Sequence, residues 1–348
     1  MARAAISRNG YVPSVSAGAF TVVMWASLPL LRQFTALPPM LTAAVAMAAA
    51  ATVAAAADLL GSAVFVAQSR SRRAAAAGPA SNPESGSDNS ARLRIPNDPW
   101  YWFGGVGGLV GALFFYFAAL PMGDPARITL VTYVWPIGFI VAASRLEAKA
   151  VPLQVFVGAA IAFVGVVPLV LAGSQGSGTP PAGYAIGIAA GGAWIAFSLF
   201  LRYAGRLSFA GYARLFAHAG ATGLLFHLVF EGAVEADAAD WITAAAIGIG
   251  PYGVAFMSWG FALRTGPTGL LGILNYSVPV IAFSLLVFFG YSKPEPALAL
   301  ATIAVVCGSM LASMQSLPGL RRLRSRRGVL RWRSKPRTSR NPPSFELR

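Results

Sequence analysis

Long apolar stretches separated by short polar segments restrict the possible folds of this chain more than any other feature. Ten such stretches follow one another between residues 12 and 316. Each is close to the roughly 20 residues that an α-helix needs to cross a bilayer. The sequence is 56% hydrophobic and only 11% charged, against about 25% charged in ordinary soluble domains. The pattern therefore predicts an all-α membrane protein with ten transmembrane helices.

The apolar stretches form two sets of five on either side of a Gly-, Ser- and Pro-rich linker at 173–181. We predict a first five-helix repeat over 1–173, a second over 182–317 and a basic cytoplasmic tail over 318–348. The polar segment 68–99 is too poor in apolar residues to fold alone and is interpreted as a disordered cytoplasmic insert. The predicted spans are 12–31, one beginning near 40, one ending near 120, one around 128–143, then 153–171, 184–201, 211–230, 241–263, 268–291 and 297–316.

One short motif occurs twice in the apolar stretches. Tyr133-Val134-Trp135-Pro136 lies in the fourth stretch, and Tyr276-Ser277-Val278-Pro279 lies in the ninth, 143 positions later (276 − 133). A proline inside a helix removes a backbone donor, and in lipid this defect is tolerated only against protein or a wet cavity. The repeated motif therefore predicts a duplicated chain with helix bends at Pro136 and Pro279, each beside a cavity.

The distribution of positive charge predicts how the chain crosses the membrane. With ten spans and a cytoplasmic N-terminus, 24 of the 27 Lys and Arg residues fall inside, and only Arg32, Arg127 and Lys293 fall outside. This bias also explains the net charge of +15 without nucleic acid as a partner. Since each half has an odd number of spans, the halves have opposite topology. Inverted repeats of this kind are typical of transporters whose substrate site lies where the halves meet.

At these motifs the sequence resembles the drug/metabolite transporter superfamily of the EamA type, and within it the bacterial aromatic amino acid exporters. Tyr133-Val134-Trp135-Pro136 is similar to the Asn-Tyr-Leu-Trp-Pro motif of that group, with Thr132 in place of the Asn. The resemblance covers about residues 12–316 and implies export of aromatic amino acids or related metabolites. Three further stretches carry it: Met24-Trp25-Ala26-Ser27, Ala193-Trp194-Ile195-Ala196, and Tyr276-Ser277-Val278-Pro279 with Cys307-Gly308-Ser309.

Aromatic side chains inside the spans are the candidate substrate contacts, because ring faces with polar tips would suit a flat solute with polar ends. Packing against lipid or the protein core is the alternative for each. Tyr133 and Trp135 are two positions apart, so only a break in the helix could turn both toward one cavity. For Asn275 the alternative is a hydrogen bond between helices. The predicted substrate-binding residues are Tyr133, Trp135, Tyr276, Asn275, Trp25, Trp194, Trp259 and Tyr116.

The acidic residues leave the energy source open. Asp58, near the far end of the second span, is interpreted first as an interfacial carboxylate and second as a buried functional group, because carboxylates at mid-membrane are rare. Asp58 and Glu147 both lie too close to the cytoplasmic end for an obvious proton relay. A facilitator that uses only the gradient of its solute therefore stays open beside an ion-coupled transporter.

Other function classes are disfavoured by what the sequence lacks. It has no Gly-x-x-x-x-Gly-Lys-Ser/Thr phosphate loop, so the chain carries no ATP-driven pump. His218 and His227 are nine positions apart and point to opposite faces of a helix, so they cannot share a metal ion. No cofactor is predicted, and no nucleophile with a neighbouring base points to an enzyme.

These observations predict a secondary transporter that exports small organic metabolites, foremost aromatic amino acids, by alternating access. It would lie in the inner membrane with both termini in the cytoplasm. The first alternative is an exporter or facilitator of other solutes, such as other amino acids or drugs, and the second is an integral membrane enzyme or scaffold. The predicted partners are the solute and the lipid bilayer, with no nucleic acid, and the oligomeric state is left open, a monomer included.

Overall fold

A computed structural model describes residues 8–75, 97–147, 150–173, 179–204, 207–266 and 268–313. The described residues form helices joined by short connections, and no strand occurs among them. The α-helices of these parts are α1 Arg8–Leu31, α2 Pro39–Ala75, α3 Gly108–Ala119, α4 Pro125–Thr132, α5 Trp135–Leu146, α6 Leu153–Gly173, α7 Pro181–Tyr203, α8 Phe209–Phe230, α9 Ala238–Ile247, α10 Ala255–Thr265, α11 Thr268–Asn275, α12 Val278–Phe288 and α13 Pro296–Ser313.

Eight helical segments of the described chain are long and apolar enough to cross a membrane. Two shorter apolar helices, Leu153–Pro168 and Val278–Phe288, occupy the positions of the predicted fifth and ninth spans. The prediction of an all-α protein with many membrane-length helices is thereby confirmed. The eight are Val12–Phe34, Pro39–Val64, Tyr101–Met122, Pro125–Leu146, Pro181–Tyr203, Phe209–Phe230, Ala238–Leu263 and Pro296–Ser313.

Two of the segments contain a wider, π-helical turn. Tyr101–Gly107 leads into α3, and Gly248–Val254 joins α9 to α10. Both turns are rich in glycine, which weakens regular helix formation and lets a neighbouring helix approach closely. In the first turn, a Cβ at Gly105 would lie 3.0 Å from the ring of Phe200 on α7. Turns of this kind occur frequently at functional sites.

The repeated proline motif interrupts a helix at the same place in both halves. α4 ends at Thr132 and α5 begins at Trp135, while α11 ends at Asn275 and α12 begins at Val278. Both boundaries therefore recur at an offset of 143 (275 − 132 and 278 − 135). Each proline occupies the first turn of the new helix, where its missing N–H costs nothing because first-turn donors have no intrahelical partner. Each proline thus starts a helix and does not bend a continuous one.

The two halves pack through each other. Helix α1 contacts α10, α11 and α12 of the second half, and α7 contacts α3, α4 and α5 of the first. α2 packs along α8, and α6 packs along α13. The interior lies between α1 and α7 and the helices of the other half that each of them contacts.

The structure corrects the predicted insert. Helix α2 continues to Ala75, so residues 68–75 are helical and do not begin a loop. Alanine and arginine, which predominate at the end of this helix, have high helix propensity. Residues 76–96, which make up most of the predicted insert, and the predicted tail at 318–348 lie outside the described residues.

Candidate functional site

A cavity of about 690 Å³ lies between the two halves of the described chain. Its volume falls within the roughly 300–1,000 Å³ range of sites that hold small organic molecules. The wall is mainly apolar and aromatic, with a few hydroxyl, amide and carboxylate groups. The lining residues are Trp25, Leu28, Asp58, Tyr116, Thr132, Tyr133, Trp135, Trp194, Phe197, Ser198, Leu201, Leu207, Ser208, Phe209, Tyr212, Tyr252, Phe256, Met257, Trp259, Gly260, Leu263 and Asn275.

Seven of the eight predicted substrate-binding residues line this cavity, and one does not. Tyr276 lines a separate pocket of about 10 Å³, together with Pro136 and Pro279, and its hydroxyl hydrogen-bonds to that of Ser313. Tyr276 therefore does not line the cavity, although Tyr133, Trp135 and Asn275 line both the cavity and this small pocket. The seven that line it are Trp25, Tyr116, Tyr133, Trp135, Trp194, Trp259 and Asn275.

The helix break explains how Tyr133 and Trp135 share one cavity. The Tyr133 amide donates to the Thr129 carbonyl at 3.0 Å, but the Val134 amide donates to Val131 at 3.3 Å, three residues back. This tighter turn changes the rotation of the chain before α5 begins at Trp135. Two side chains that a continuous helix would point apart consequently line the same cavity.

Thr132, which replaces the Asn of the exporter motif, has a definite role in the packing. Its hydroxyl lies 3.0 Å from the Ile128 carbonyl of its own helix and 3.0 Å from the Gly187 carbonyl of α7. Thr132 thus ties the end of α4 to the second half of the chain. A hydroxyl can perform this function without the second polar group of an amide.

Phe256 of α10 organises the aromatic wall, although the sequence analysis did not single it out. Its ring centroid lies 5.5 Å from that of Trp25, 6.0 Å from that of Tyr252 and 6.2 Å from that of Phe197. The rings of Tyr252 and Phe256 are nearly parallel, at 15°. Ring pairs at these separations stabilise one another and hold the wall in a fixed shape. A phenylalanine among apolar neighbours gives no sequence signal that could have distinguished it.

Most polar groups of the wall are engaged by the protein, but one tyrosine hydroxyl is not. The Trp25 Nε1–H donates to the Pro251 carbonyl at 3.0 Å, and the Tyr116 hydroxyl lies 2.8 Å from that of Thr129. The Tyr252 hydroxyl is buried and has no hydrogen-bond partner in the described part of the protein. An unsatisfied buried hydroxyl costs about 1–3 kcal/mol. This hydroxyl is therefore unsatisfied in the empty protein, although its residue lines the cavity.

Asp58 also lines the cavity, together with the mouth residues Ser208 and Phe209 described below. The half-buried side chain lies on α2, which is mostly alanine at this point. α2 passes close beside the π-helical turn: a Cβ at Gly248 would lie 2.0 Å from the Ala46 carbonyl oxygen.

One end of the cavity reaches the surface at the turn between α7 and α8. Leu201, Leu207, Ser208 and Phe209 line this end. The side chain of Phe209 is 37% exposed. The Ser208 hydroxyl caps α8 by accepting a hydrogen bond from the Gly211 amide at 3.1 Å. We call this end the mouth.

A polar network around Asp124 lies at the opposite end of α7, and none of its residues described below lines the cavity. The Asp124 carboxylate accepts hydrogen bonds from the Arg127 amide at 3.0 Å and the Ser292 hydroxyl at 3.0 Å. The Asp124 amide donates to the Thr179 hydroxyl at 2.9 Å. Arg127 forms an ion pair with Glu295. The network joins the start of α4, the connection before α7 and the connection before α13, and we call it the closed end.

These features define a class of protein: a membrane transporter, in which membrane-length helices surround a cavity that reaches the surface at the mouth. The second half matches the model of the EamA-like transporter family over residues 182–314. The chain is 30% identical over 302 residues to a protein of Ancylobacter novellus described as the aromatic amino acid exporter YddG, with 85% of this chain and 96% of the relative covered. It belongs to the EamA-like transporter family, and the resemblance drawn from the motifs is confirmed.

A solved crystal structure supports the same fold. It superimposes with a TM-score of 0.61 at 30% identity and covers 90% of this chain and 99% of its own. The agreement over nearly the whole solved chain means that both halves, and not only the matched second half, belong to the shared fold.

Proposed function

We propose that this protein is a secondary transporter that exports small organic metabolites, foremost aromatic amino acids, by alternating access. The carrying observation is the cavity of about 690 Å³, whose wall holds four tryptophan side chains, Trp25, Trp135, Trp194 and Trp259. Rings of this size bury a flat aromatic solute on both faces and add attraction beyond burial alone. The name of the relative from Ancylobacter novellus favours the same solute class.

The proposed architecture is ten spans arranged as two inverted five-helix repeats. A Cβ at Gly158 of α6 would lie 2.3 Å from the Gly308 carbonyl of α13, and one at Gly165 would lie 3.2 Å from the Ala301 Cα. Contacts that descend along α13 as they ascend along α6 mean that the two helices run antiparallel. The offset of 143 maps 158 onto 301 and 165 onto 308, so the two contacts exchange with each other. A twofold axis in the membrane plane predicts this exchange.

The proposed orientation sets the mouth in the cytoplasm. The turn at the mouth follows Arg202, on the side to which the sequence assigns most Lys and Arg residues, whereas the closed end holds Arg127 and Lys293. In the inner membrane, the cavity then takes up its solute from the cytoplasm, as an exporter requires. One chain supplies the whole lining described here, which favours a monomer as the transporting unit.

Alternating access requires the closed end to open while the mouth closes. The network around Asp124 joins three connections, so separating them releases the closed end. At the mouth side, Arg202 donates to the Glu147 carboxylate through its Nε at 3.0 Å, which joins α7 to the end of α5. The Arg127–Glu295 ion pair is the proposed fastening of the closed end, whereas the Arg202–Glu147 pair is already formed while the mouth is open and links α7 to α5.

Flux measurements in liposomes test the proposal. Purified protein should move tryptophan, phenylalanine and tyrosine faster than leucine or glutamate across a concentration gradient. Repeating the assay with an imposed pH gradient separates a proton-coupled exporter from a facilitator. Aromatic flux equal to that of empty vesicles, with flux of another solute class above it, would show that the assignment of the solute is wrong.

A further inference from the structure

Asp58 is the one formally charged side chain among the described residues that line the cavity. All the other described lining groups are apolar, aromatic, hydroxyl or amide. An ionisable residue within a membrane span is rare because its transfer from water is costly. Its position in the cavity wall places this carboxylate beside a bound solute.

The helix contacts fix the depth of Asp58. Along α2 and the segment Ala238–Leu263, Gly248 packs on Ala46 and Gly253 packs on Val53, so the two run in parallel. Helix α8 packs along α2 in the opposite direction, with Gly223 on Ala44 and Gly220 on Ala48, so the far end of α2 lies toward the mouth, where α8 begins. At 1.5 Å per residue, Asp58 lies about 7 Å beyond Val53 in that direction.

The tryptophan rings that line the same cavity as Asp58 favour binding of a cation. The ring centroid of Trp259 lies 5.5 Å from that of Trp25, and both rings line the cavity. Tryptophan faces attract ammonium groups, and a carboxylate attracts them by charge. Both attractions are stronger in a partly buried site than in water. A free carboxylate on a solute would instead be repelled at this depth.

We infer that Asp58 is a specificity-determining residue that binds a protonated amine of the solute, and that it selects amine-bearing aromatic solutes over aromatic acids without an amine. The inference rests on the proposed function, because it assigns a group of the solute to one side of the same cavity. The ring of the solute then lies deeper, against Phe256 and the tryptophans. The amine is the part of the solute nearest the mouth.

Three solutes with the same ring test the inference: tryptophan, tryptamine and indole-3-propionate. Competition against radiolabelled tryptophan efflux from liposomes should rank the two amines about tenfold or more above indole-3-propionate in apparent affinity. Asp58→Asn should remove this preference by weakening the amines about tenfold while leaving indole-3-propionate unchanged or improved. Asp58→Glu, which keeps the charge, should restore much of the preference.

Asp98→Asn is the matched control. Asp98 is exposed, lies outside the cavity lining and accepts a hydrogen bond from the Trp100 amide at 2.9 Å, which an asparagine oxygen can also accept. The Asp98→Asn substitution removes the same charge as Asp58→Asn and should leave the preference for amines intact. Correct insertion of each variant is verified by monodisperse elution in detergent before reconstitution.

The outcomes separate this inference from the proposed function. An unchanged amine preference in Asp58→Asn would overturn the inference. If Asp58→Asn instead loses only the dependence of transport on the pH gradient and keeps the amine preference, Asp58 is a proton-coupling group and the inference is also overturned. If the wild type transports none of the three indole-containing solutes but transports aliphatic solutes, the proposed aromatic substrate class is wrong. The comparison of leucine with 4-methylpentanoate then tests Asp58 in the same way.

Discussion

Gly158 and Gly308 meet across α6 and α13 so closely that a Cβ on either residue would lie 2.3 Å from the carbonyl oxygen of the other. No side chain fits in that space, because real Cβ contacts do not approach below about 3 Å without a backbone shift. The contact fastens the last helix of the first half to the last helix of the second. Substitution of either glycine therefore tests how the two halves are joined.

Gly308→Ala should destabilise the protein by about 1–3 kcal/mol, because the added methyl group forces α6 and α13 apart. Thermal unfolding in detergent measures the loss as a lower midpoint temperature. Gly192→Ala on α7 is the control, since a Cβ there meets nothing within 4 Å. The control should be neutral or slightly stabilising, because alanine is the better helix former. Equal effects of the two changes would contradict the packing.

Trp135→Ala should weaken binding of an aromatic solute by more than about 1 kcal/mol, on the scale of one aromatic contact. Titration followed by intrinsic tryptophan fluorescence gives the dissociation constant, and flux in liposomes gives the consequence for transport. Phe163→Ala is the control, because that ring is 53% exposed on the outer surface of α6. Unchanged affinity and flux in Trp135→Ala would place the solute elsewhere.

Tyr252→Phe should separate the cost of a buried hydroxyl from its use. If the hydroxyl has no partner until solute binds, its removal increases the free energy of unfolding of the empty protein by about 1–3 kcal/mol. Thermal unfolding measures this as a higher midpoint temperature. The same change should reduce the additional stabilisation that a saturating aromatic amino acid produces. Tyr116→Phe is the comparison, because the Tyr116 hydroxyl already bonds to Thr129. A destabilised empty Tyr252→Phe protein would contradict this account.

Glu295→Gln should loosen the closed end, because the Arg127 side chain is 5% exposed and loses the charge of its partner. A cysteine at Asn275, in a Cys307→Ser background, reports access to the cavity through its reaction with a membrane-impermeant thiol reagent. Glu295→Gln should raise the labelling rate from the closed-end side several-fold. Glu147→Gln, which breaks the ion pair with Arg202 near the mouth, should not. An equal rate in both variants would remove the closed-end network from gating.

The local features of this fold could be predicted from the sequence because each depends on a short stretch of chain. The length of an apolar run decides whether it can cross a membrane, and the prolines at 136 and 279 mark where α5 and α12 begin. The aromatic composition of the spans likewise indicated the cavity lining. Seven of the eight residues predicted from it do line one cavity.

Tertiary structure alone decided which side of each helix faces the cavity. A membrane helix is apolar all round, so its sequence does not distinguish the lipid side from the cavity side as an amphipathic soluble helix does. Tyr133 and Tyr276 hold the same place in the repeated motif, but only Tyr133 lines the cavity, because Tyr276 bonds to Ser313 of α13. Asp58 likewise lines the cavity, which its position in an alanine-rich stretch of α2 did not reveal. The rotation of each helix follows from contacts between the two halves, and those contacts join residues far apart in the chain.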